Sequence, residues 1–208
     1  MKLLWIGCIL TLFTYLKSSL AEPCEGPDMD ECYMKIALDY ALLHNPQFPF
    51  GALIVDHTKN EISCYGVNSV KENALLHGET AAFWNCTELY PQTLYTTGEP
   101  CPMCAAESIY RRVHRVVWGS SITELNYSGC QQLMINMHDV VASARNAGNQ
   151  PNPKVPILEG GILKDACDHA FWCAYSVFRN EKYYASMVKN GLEDYIKDHE
   201  ARFPCDGH

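Results

Sequence analysis

Two short motifs constrain this chain more than any other feature: His77-x-Glu79, and Pro100-Cys101-x-x-Cys104. One imidazole and two thiolates suit Zn²⁺ in a tetrahedral site, and three protein ligands leave the fourth position to water. Glu79 lies outside that ligand set, so its carboxylate is free to carry protons. The pattern therefore predicts a catalytic zinc site, with His77, Cys101 and Cys104 as ligands and Glu79 as the catalytic residue.

The residues around the motifs resemble a known family. A His-x-Glu followed by Pro-Cys-x-x-Cys is typical of zinc-dependent nucleobase deaminases. Residues 94–104 resemble the branch that holds guanine deaminases, tRNA adenosine deaminases and zinc-type cytosine deaminases, and the resemblance covers roughly residues 33–171. It implies that Asn68 binds substrate and that residues 160–163 form the last strand-to-helix junction. Glu107 departs from the family pattern, which has a small apolar residue there, so Glu107 is either solvated or faces a pocket or a dimer contact.

Strands alternate with helices along the chain, which predicts a sheet covered on both faces. We expect strands at 51–56, 61–68, 93–97, 115–119 and 155–158, helices at 28–44, 77–84, 105–112, 131–146, 162–179 and 181–199, and a loop at 125–129. The predicted fold class is α/β, a three-layer α/β/α sandwich with a mixed five-stranded sheet, as in the cytidine deaminase-like fold. Residues 22–208 are expected to form one domain. Its helical C-terminal extension, 171–208, carries aromatic residues that are expected mostly in the core. The resemblance implies that this segment closes over the pocket, where one of them would stack on substrate.

The first 21 residues predict a secretory signal peptide, since Lys2 precedes a short apolar run that ends in small residues up to Ala21. A retained membrane anchor is the alternative, although the run is short for a spanning helix. We therefore expect a secreted protein, extracellular or in the lumen of the secretory pathway. In that compartment Asn85 and Asn126, which begin Asn-x-Ser/Thr sequences, are candidate glycosylation sites.

Cysteine usage agrees with secretion. Of eleven cysteines, Cys8 leaves with the signal peptide, and Cys101 and Cys104 are assigned to zinc. The remaining eight predict up to four disulfides, of which we expect at least two, and their pairing stays open among 105 connectivities. Free buried thiols are the alternative for some of them, as for Cys64 on a strand. The eight are Cys24, Cys32, Cys64, Cys86, Cys130, Cys167, Cys173 and Cys205.

The charge balance argues against a nucleic-acid partner. Without Lys2 and Lys17 the 16 basic residues become 14 against 24 acidic ones, a formal charge of −10. Nucleic-acid binding depends on Lys and Arg that neutralise phosphates, and the one basic cluster, at residues 111–115, is small. We expect a small heterocyclic substrate, no nucleic acid, no membrane contact after signal cleavage, and a homodimer.

Together these features predict a secreted zinc-dependent hydrolytic deaminase that releases ammonia from a free nucleobase, nucleoside or related heterocycle. Guanine or adenine compounds are expected first, and cytosine or cytidine next. Three alternatives stay open: a non-catalytic secreted ligand-binding protein on the same fold, a nucleic-acid-editing deaminase, and a disulfide-rich structural protein in which Cys101 and Cys104 are bridged. The non-catalytic protein is disfavoured because a catalytically dead relative would usually have lost Glu79, whereas this chain keeps the whole set of His77, Glu79, Cys101, Cys104 and Asn68.

Overall fold

The computed structural model describes residues 24–87, 91–146 and 154–205. The predicted signal peptide lies outside these described residues. Within them, no helix combines the length and the apolar composition that a bilayer crossing requires.

The described residues form five strands and eight α-helices. In chain order they are α1 Met29–His44, β1 Gly51–Asp56, β2 Glu61–Val67, α2 Gly78–Asn85, β3 Thr93–Gly98, α3 Pro102–Tyr110, β4 Arg115–Ser120, α4 Ile122–Tyr127, α5 Met137–Arg145, β5 Ile157–Gly160, α6 Lys164–Ala174, α7 Glu181–Lys189 and α8 Glu193–Arg202, with a 3₁₀ turn at Ser176–Phe178.

The strands make one sheet in the order β2-β1-β3-β4-β5. Strand β1 pairs antiparallel with β2 and β3, whereas β3, β4 and β5 run parallel. The predicted mixed five-stranded sheet is confirmed. Because β3 and β4 run parallel, their carboxyl ends meet at one edge, where Gly98 pairs with Ser120.

Strand β1 shows why helices cover both faces of the sheet. Ala52 and Ile54 belong to the core beneath α2, α3 and α5, and Leu53 and Val55 belong to the core beneath α1 and α6. Consecutive strand side chains point to opposite faces, so a strand that is apolar throughout must be covered twice. The three-layer α/β/α architecture is therefore confirmed.

Two boundaries predicted after β4 are wrong. The predicted loop 125–129 begins within α4, whose N-cap Ser121 accepts a hydrogen bond from the backbone of Glu124. The predicted helix 131–146 begins only at Met137, so Leu133 and Met134, placed on its buried side, are exposed. A capping box between Asn136 and Asp139 decides where the helix starts. The apolar spacing alone therefore predicted a helix that begins about a turn and a half too early.

The C-terminal helices are shorter than predicted. The predicted helix 162–179 is α6 followed by the 3₁₀ turn, and the predicted helix 181–199 is divided into α7 and α8. The division falls at Gly191, which has φ +75°. Glycine adopts this left-handed backbone without steric cost and commonly ends a helix. A single glycine thus separates two helices that the apolar spacing joined.

Three disulfides are present among the described residues, which confirms the expectation of at least two. Cys64 on β2 is bonded to Cys86 rather than free, whereas Cys130 and Cys167 are buried free thiols. Cys101 and Cys104 are not bridged. The bridges are Cys24–Cys32, Cys64–Cys86 and Cys173–Cys205.

Candidate active site

The N-terminal ends of α2 and α3 lie next to each other, and this brings three candidate metal ligands together. His77 is the N-cap of α2, Cys101 is the N-cap of α3, and Cys104 lies in the first turn of α3. Their ligand atoms all lie within 4.8 Å of one another. The Nδ1 atom of His77 is 3.5 Å from the Sγ atom of Cys101 and 3.8 Å from that of Cys104.

These distances fit a zinc ion. Tetrahedral zinc with its usual bond lengths places a nitrogen and a sulfur ligand about 3.6 Å apart, close to the two nitrogen–sulfur distances at His77. Both thiols are unbridged and able to ionise, and thiolate with imidazole is a donor set that zinc prefers. The three side chains therefore match zinc in geometry and in chemistry.

Gly66 on strand β2 sets the position of α2. A Cβ atom at residue 66 would lie 2.1 Å from the carbonyl oxygen of Gly78 and 2.2 Å from the backbone nitrogen of Ala82. Any side chain there would push the helix away from the sheet. Glycine thus allows the first turn of α2, which carries the His-x-Glu motif, to pack directly on the end of β2.

Asn68 follows β2 and is held beside this helix start. Its backbone N–H donates to the carbonyl of Phe50 at 3.0 Å, and its own carbonyl accepts from Asn45 Nδ2 at 2.7 Å. A hydrogen bond from Ser69 N to Leu76 O closes the loop that leads from Asn68 to His77. Asn68 is only 6% exposed. These bonds use its backbone and leave its side-chain amide for another partner.

Glu79 lies in the first turn of α2 and is 3% exposed. Burial raises the pKa of Glu79 to about 7, and the negative charge of Cys101 acts in the same direction. The positive charge of His77 and a hydrogen bond with Cys104 oppose that rise. A carboxyl with a pKa near neutrality can both accept and return a proton, which suits general acid–base chemistry.

The two thiols of the cluster differ in acidity. A hydrogen bond from Cys104 lowers the pKa of Cys101 to about 4, whereas the pKa of Cys104 is raised because it donates that bond and is buried. The thiolate is the metal-binding form of cysteine. Cys101 therefore supplies the first thiolate of the pair.

Glu99, next to Pro100, supports the cluster and was not singled out in the sequence. Its two carboxylate oxygens accept hydrogen bonds from the backbone N–H groups of Ile122 and Met137, at 2.9 Å and 2.8 Å. These are the first residues of α4 and α5, so one buried carboxylate caps two helices. The sequence signal was an acidic residue directly after a strand and next to the Pro-Cys-x-x-Cys motif.

A groove of about 830 Å³ lies between Phe48 and the C-terminal helices, and the residues of the metal cluster do not line it. Phe48 on its wall belongs to the turn whose Asn45 holds Asn68. Of the C-terminal aromatics predicted to cap a pocket, Phe178 is half exposed and packs 6.4 Å from the ring of Phe48. Others belong to the core: Phe171, Trp172 and Tyr175 are buried.

The two candidate glycosylation sites lie outside the metal cluster. Asn85 is exposed at the end of α2, and its side chain donates to the carbonyl of Tyr65 at 2.8 Å. Asn126 is half-buried in α4 and lines the groove.

A second group of candidate metal ligands lies under α8, where Glu124, Asp168 and His199 converge. The ammonium group of Lys164 already bonds both carboxylates, at 3.2 Å from Glu124 and closer to Asp168. Tyr195 donates a hydrogen bond of 2.5 Å to Glu124. The ammonium group of Lys164 thus occupies the position that a metal cation would need. This cluster is therefore an ion-pair network that connects α8 to the rest of the domain.

The protein-family model that describes the cytidine and deoxycytidylate deaminase zinc-binding region matches residues 27–120 of this chain. A probable cytosine deaminase of Schizosaccharomyces pombe is 35% identical over 107 residues, which cover 47% of this chain and 66% of that protein, just under two thirds. A tRNA-specific adenosine deaminase of Buchnera aphidicola is 36% identical over 106 residues, 46% of this chain and 69% of that protein. The solved guanine deaminase from Nitrosomonas europaea shares the fold, with a TM-score of 0.58 at 18% identity over 78% of this chain and 92% of that one.

Proposed function

Because the chain belongs to the family of the cytidine and deoxycytidylate deaminase zinc-binding region, we propose that it is a hydrolytic deaminase that releases ammonia from a small heterocycle. One observation carries this proposal. Three ligand atoms with zinc geometry, from His77, Cys101 and Cys104, meet at two helix starts beside the buried carboxyl of Glu79.

In this proposal each residue of the site has a separate role. His77, Cys101 and Cys104 would hold the zinc, which when bound would act as a Lewis acid and lower the pKa of a water molecule. Glu79 would take one proton from water and pass it to a ring nitrogen of the substrate while the water oxygen adds to the amino-bearing carbon. The same carboxylate would then take the remaining proton from the added oxygen and pass it to the amino group, so the C–N bond breaks, ammonia leaves and a carbonyl remains on the ring.

Asn68 orients the substrate. Its buried amide offers one acceptor and two donors, and its backbone is fixed by Asn45 and Phe50. An amide can form two hydrogen bonds at once to a heterocycle edge that presents one donor and one acceptor, as in adenine recognition. This favours a substrate whose ring nitrogen or carbonyl lies next to the amino-bearing carbon.

The basic cluster at residues 111–115 is largely occupied by internal partners. Arg111 bonds Glu107 at 2.7 Å, and Arg115 bonds Asp30 at 2.6 Å and also Glu159. Guanidinium groups engaged in this way are poorly placed to neutralise phosphates, the main source of nucleic-acid affinity. The formal charge of the whole chain is −8. These features support a small substrate, with guanine or adenine compounds first and cytosine or cytidine next, although several relatives are tRNA-specific adenosine deaminases.

We expect ammonia release from at least one free base or nucleoside among guanine, adenine, cytosine and their nucleosides, and none above background from RNA. The assay measures ammonia from each small substrate, and inosine or uridine formation in RNA, at equal enzyme concentration. A zinc-loaded enzyme that edits RNA efficiently and turns over no small heterocycle would contradict this prediction.

We also propose that the protein is secreted, with a mature chain that starts near Glu22. Three disulfides are consistent with an oxidising compartment. Endoglycosidase should increase the mobility of the secreted protein, and Asn85→Gln and Asn126→Gln should each abolish the shift that belongs to their site. Reduction should destabilise the fold by about 2–5 kcal/mol per bridge lost. Recovery of the uncleaved, unglycosylated chain from the cytosol as the main form would contradict secretion.

The single domain at 22–208 and the homodimer stay predictions.

A further inference from the structure

A hydrogen-bonded chain of side chains leads away from the metal cluster through Thr80. The hydroxyl oxygen of Thr80 is 3.8 Å from the Sγ atom of Cys104 and donates a 2.8 Å hydrogen bond to Glu107. Thr80 is 4% exposed. A hydroxyl has one hydrogen, and Thr80 donates it to Glu107, so its oxygen contacts the Cys104 sulfur while its hydrogen bond joins it to the carboxylate.

Glu107 connects this hydroxyl to a second contact between the helices. Its other carboxylate oxygen accepts from Arg111 Nε at 2.7 Å. Arg111 in turn donates to the carbonyl of Phe83 at 3.4 Å, and its guanidinium lies 5.6 Å from the centre of the Phe83 ring. Thr80 and Phe83 belong to α2, whereas Glu107 belongs to α3 and Arg111 caps its end. The two ligand-bearing helices are therefore linked twice, and both links depend on Glu107.

Such a link bears on metal binding because the ligands come from different helices. His77 opens α2, and Cys101 and Cys104 open α3, so any shift between the helices changes the nitrogen–sulfur distances. Zinc tolerates only a few tenths of an ångström in its bonds. Residues that do not bind the metal but orient its ligands raise metal affinity by roughly 10–100-fold.

We propose that Glu107 is a positioning residue that, through its bond to Thr80, fixes Cys104 relative to His77 across the two helices, and that the Thr80–Glu107 bond sets the affinity of the site for zinc. This inference rests on the proposed function, in which His77, Cys101 and Cys104 hold the ion. A purely structural link would instead support the packing of the helices, and its loss would lower the thermal stability of the protein without changing zinc affinity.

The test measures the zinc dissociation constant of the full secreted chain by competition with a chromophoric chelator. Thr80→Val removes only the hydroxyl at nearly constant shape, and Glu107→Ala removes the acceptor. Both are expected to weaken zinc binding by about 10–100-fold, whereas Thr80→Ser, which restores a hydroxyl, should stay within about threefold of wild type. The matched control is Glu193→Ala, since Glu193 is also a helical glutamate with an i+4 partner, Lys197, at 2.8 Å.

If the wild-type protein binds zinc and the zinc dissociation constant of Thr80→Val is within about threefold of the wild-type value, the inference is overturned and the proposed function stands. A wild-type protein that binds no zinc overturns both. Thr80→Val keeps the test decisive if Glu107→Ala fails to fold, because it leaves the Glu107–Arg111 ion pair intact. A thiolate-to-cobalt absorption band that changes in Thr80→Val and recovers in Thr80→Ser would support an effect at Cys104 itself.

Discussion

Replacement of Glu79 by Gln is expected to lower kcat/KM by roughly 10²–10⁴-fold, the usual contribution of a general acid–base residue, while the protein keeps its zinc. Glutamine fills the same volume but cannot accept the proton from water or return it to the amino group. Glu79 is buried in the first turn of α2 and outside the ligand set, so the metal ligands should remain in place. The measurements are ammonia release on the best small substrate and zinc content per chain.

Glu193→Gln serves as the control for this substitution, because Glu193 is an exposed helical glutamate away from the site. It should leave both activity and zinc content unchanged. Activity of Glu79→Gln within a few-fold of wild type would reject the role of Glu79. If the wild-type protein binds zinc and a heterocycle but releases no ammonia, the chain is a ligand-binding protein on this fold rather than an enzyme.

Replacement of Cys101 by Ala is expected to remove zinc from the purified protein. Sites of four ligands bind zinc with roughly 10–16 kcal/mol at neutral pH, so one ligand is worth about 3 kcal/mol, or more than 100-fold in affinity. Cys101 is also the more acidic thiol of the pair, with a pKa of about 4. Its loss removes the first thiolate that a metal would meet. Zinc per chain, measured without chelator, should fall from about one to near zero.

Cys130→Ala is the matched control, since Cys130 is also an unbridged and largely buried thiol but lies away from His77. It should retain one zinc per chain. A Cys101→Ala protein that keeps tightly bound zinc would contradict the proposed ligand set. A Cys101–Cys104 disulfide in protein kept with zinc would do so as well, and would favour the disulfide-rich structural alternative.

Local residue patterns were enough to predict most of the architecture. The alternation of strands and helices along the chain predicted the α/β/α sandwich, and β1 and β3 are accordingly buried along their whole length. The predicted helix start at His77 was also correct, because the residues after that motif contain no helix breaker, whereas the helix predicted at 105–112 begins three residues earlier, at Pro102. Helix ends were predicted less well: the capping box at Asn136 and the left-handed Gly191 outweighed the apolar periodicity.

The sequence by itself determined which chemistry is available: two thiols and an imidazole near a carboxyl, each in a short motif whose spacing fixes its place on a helix turn. Only the tertiary structure decided which distant residues support that chemistry. Glu99 caps α4 and α5 because parallel β3 and β4 end at one edge of the sheet. Thr80 meets Glu107 because β2 and β3, which are both antiparallel to β1, end at that same edge and are followed by α2 and α3. The Cys64–Cys86 bridge depends in the same way on α2 packing against β2. Such partners are separated by 22 to 38 residues, so local propensity carries no information about them, and the packing of the sheet and its helices alone selects them.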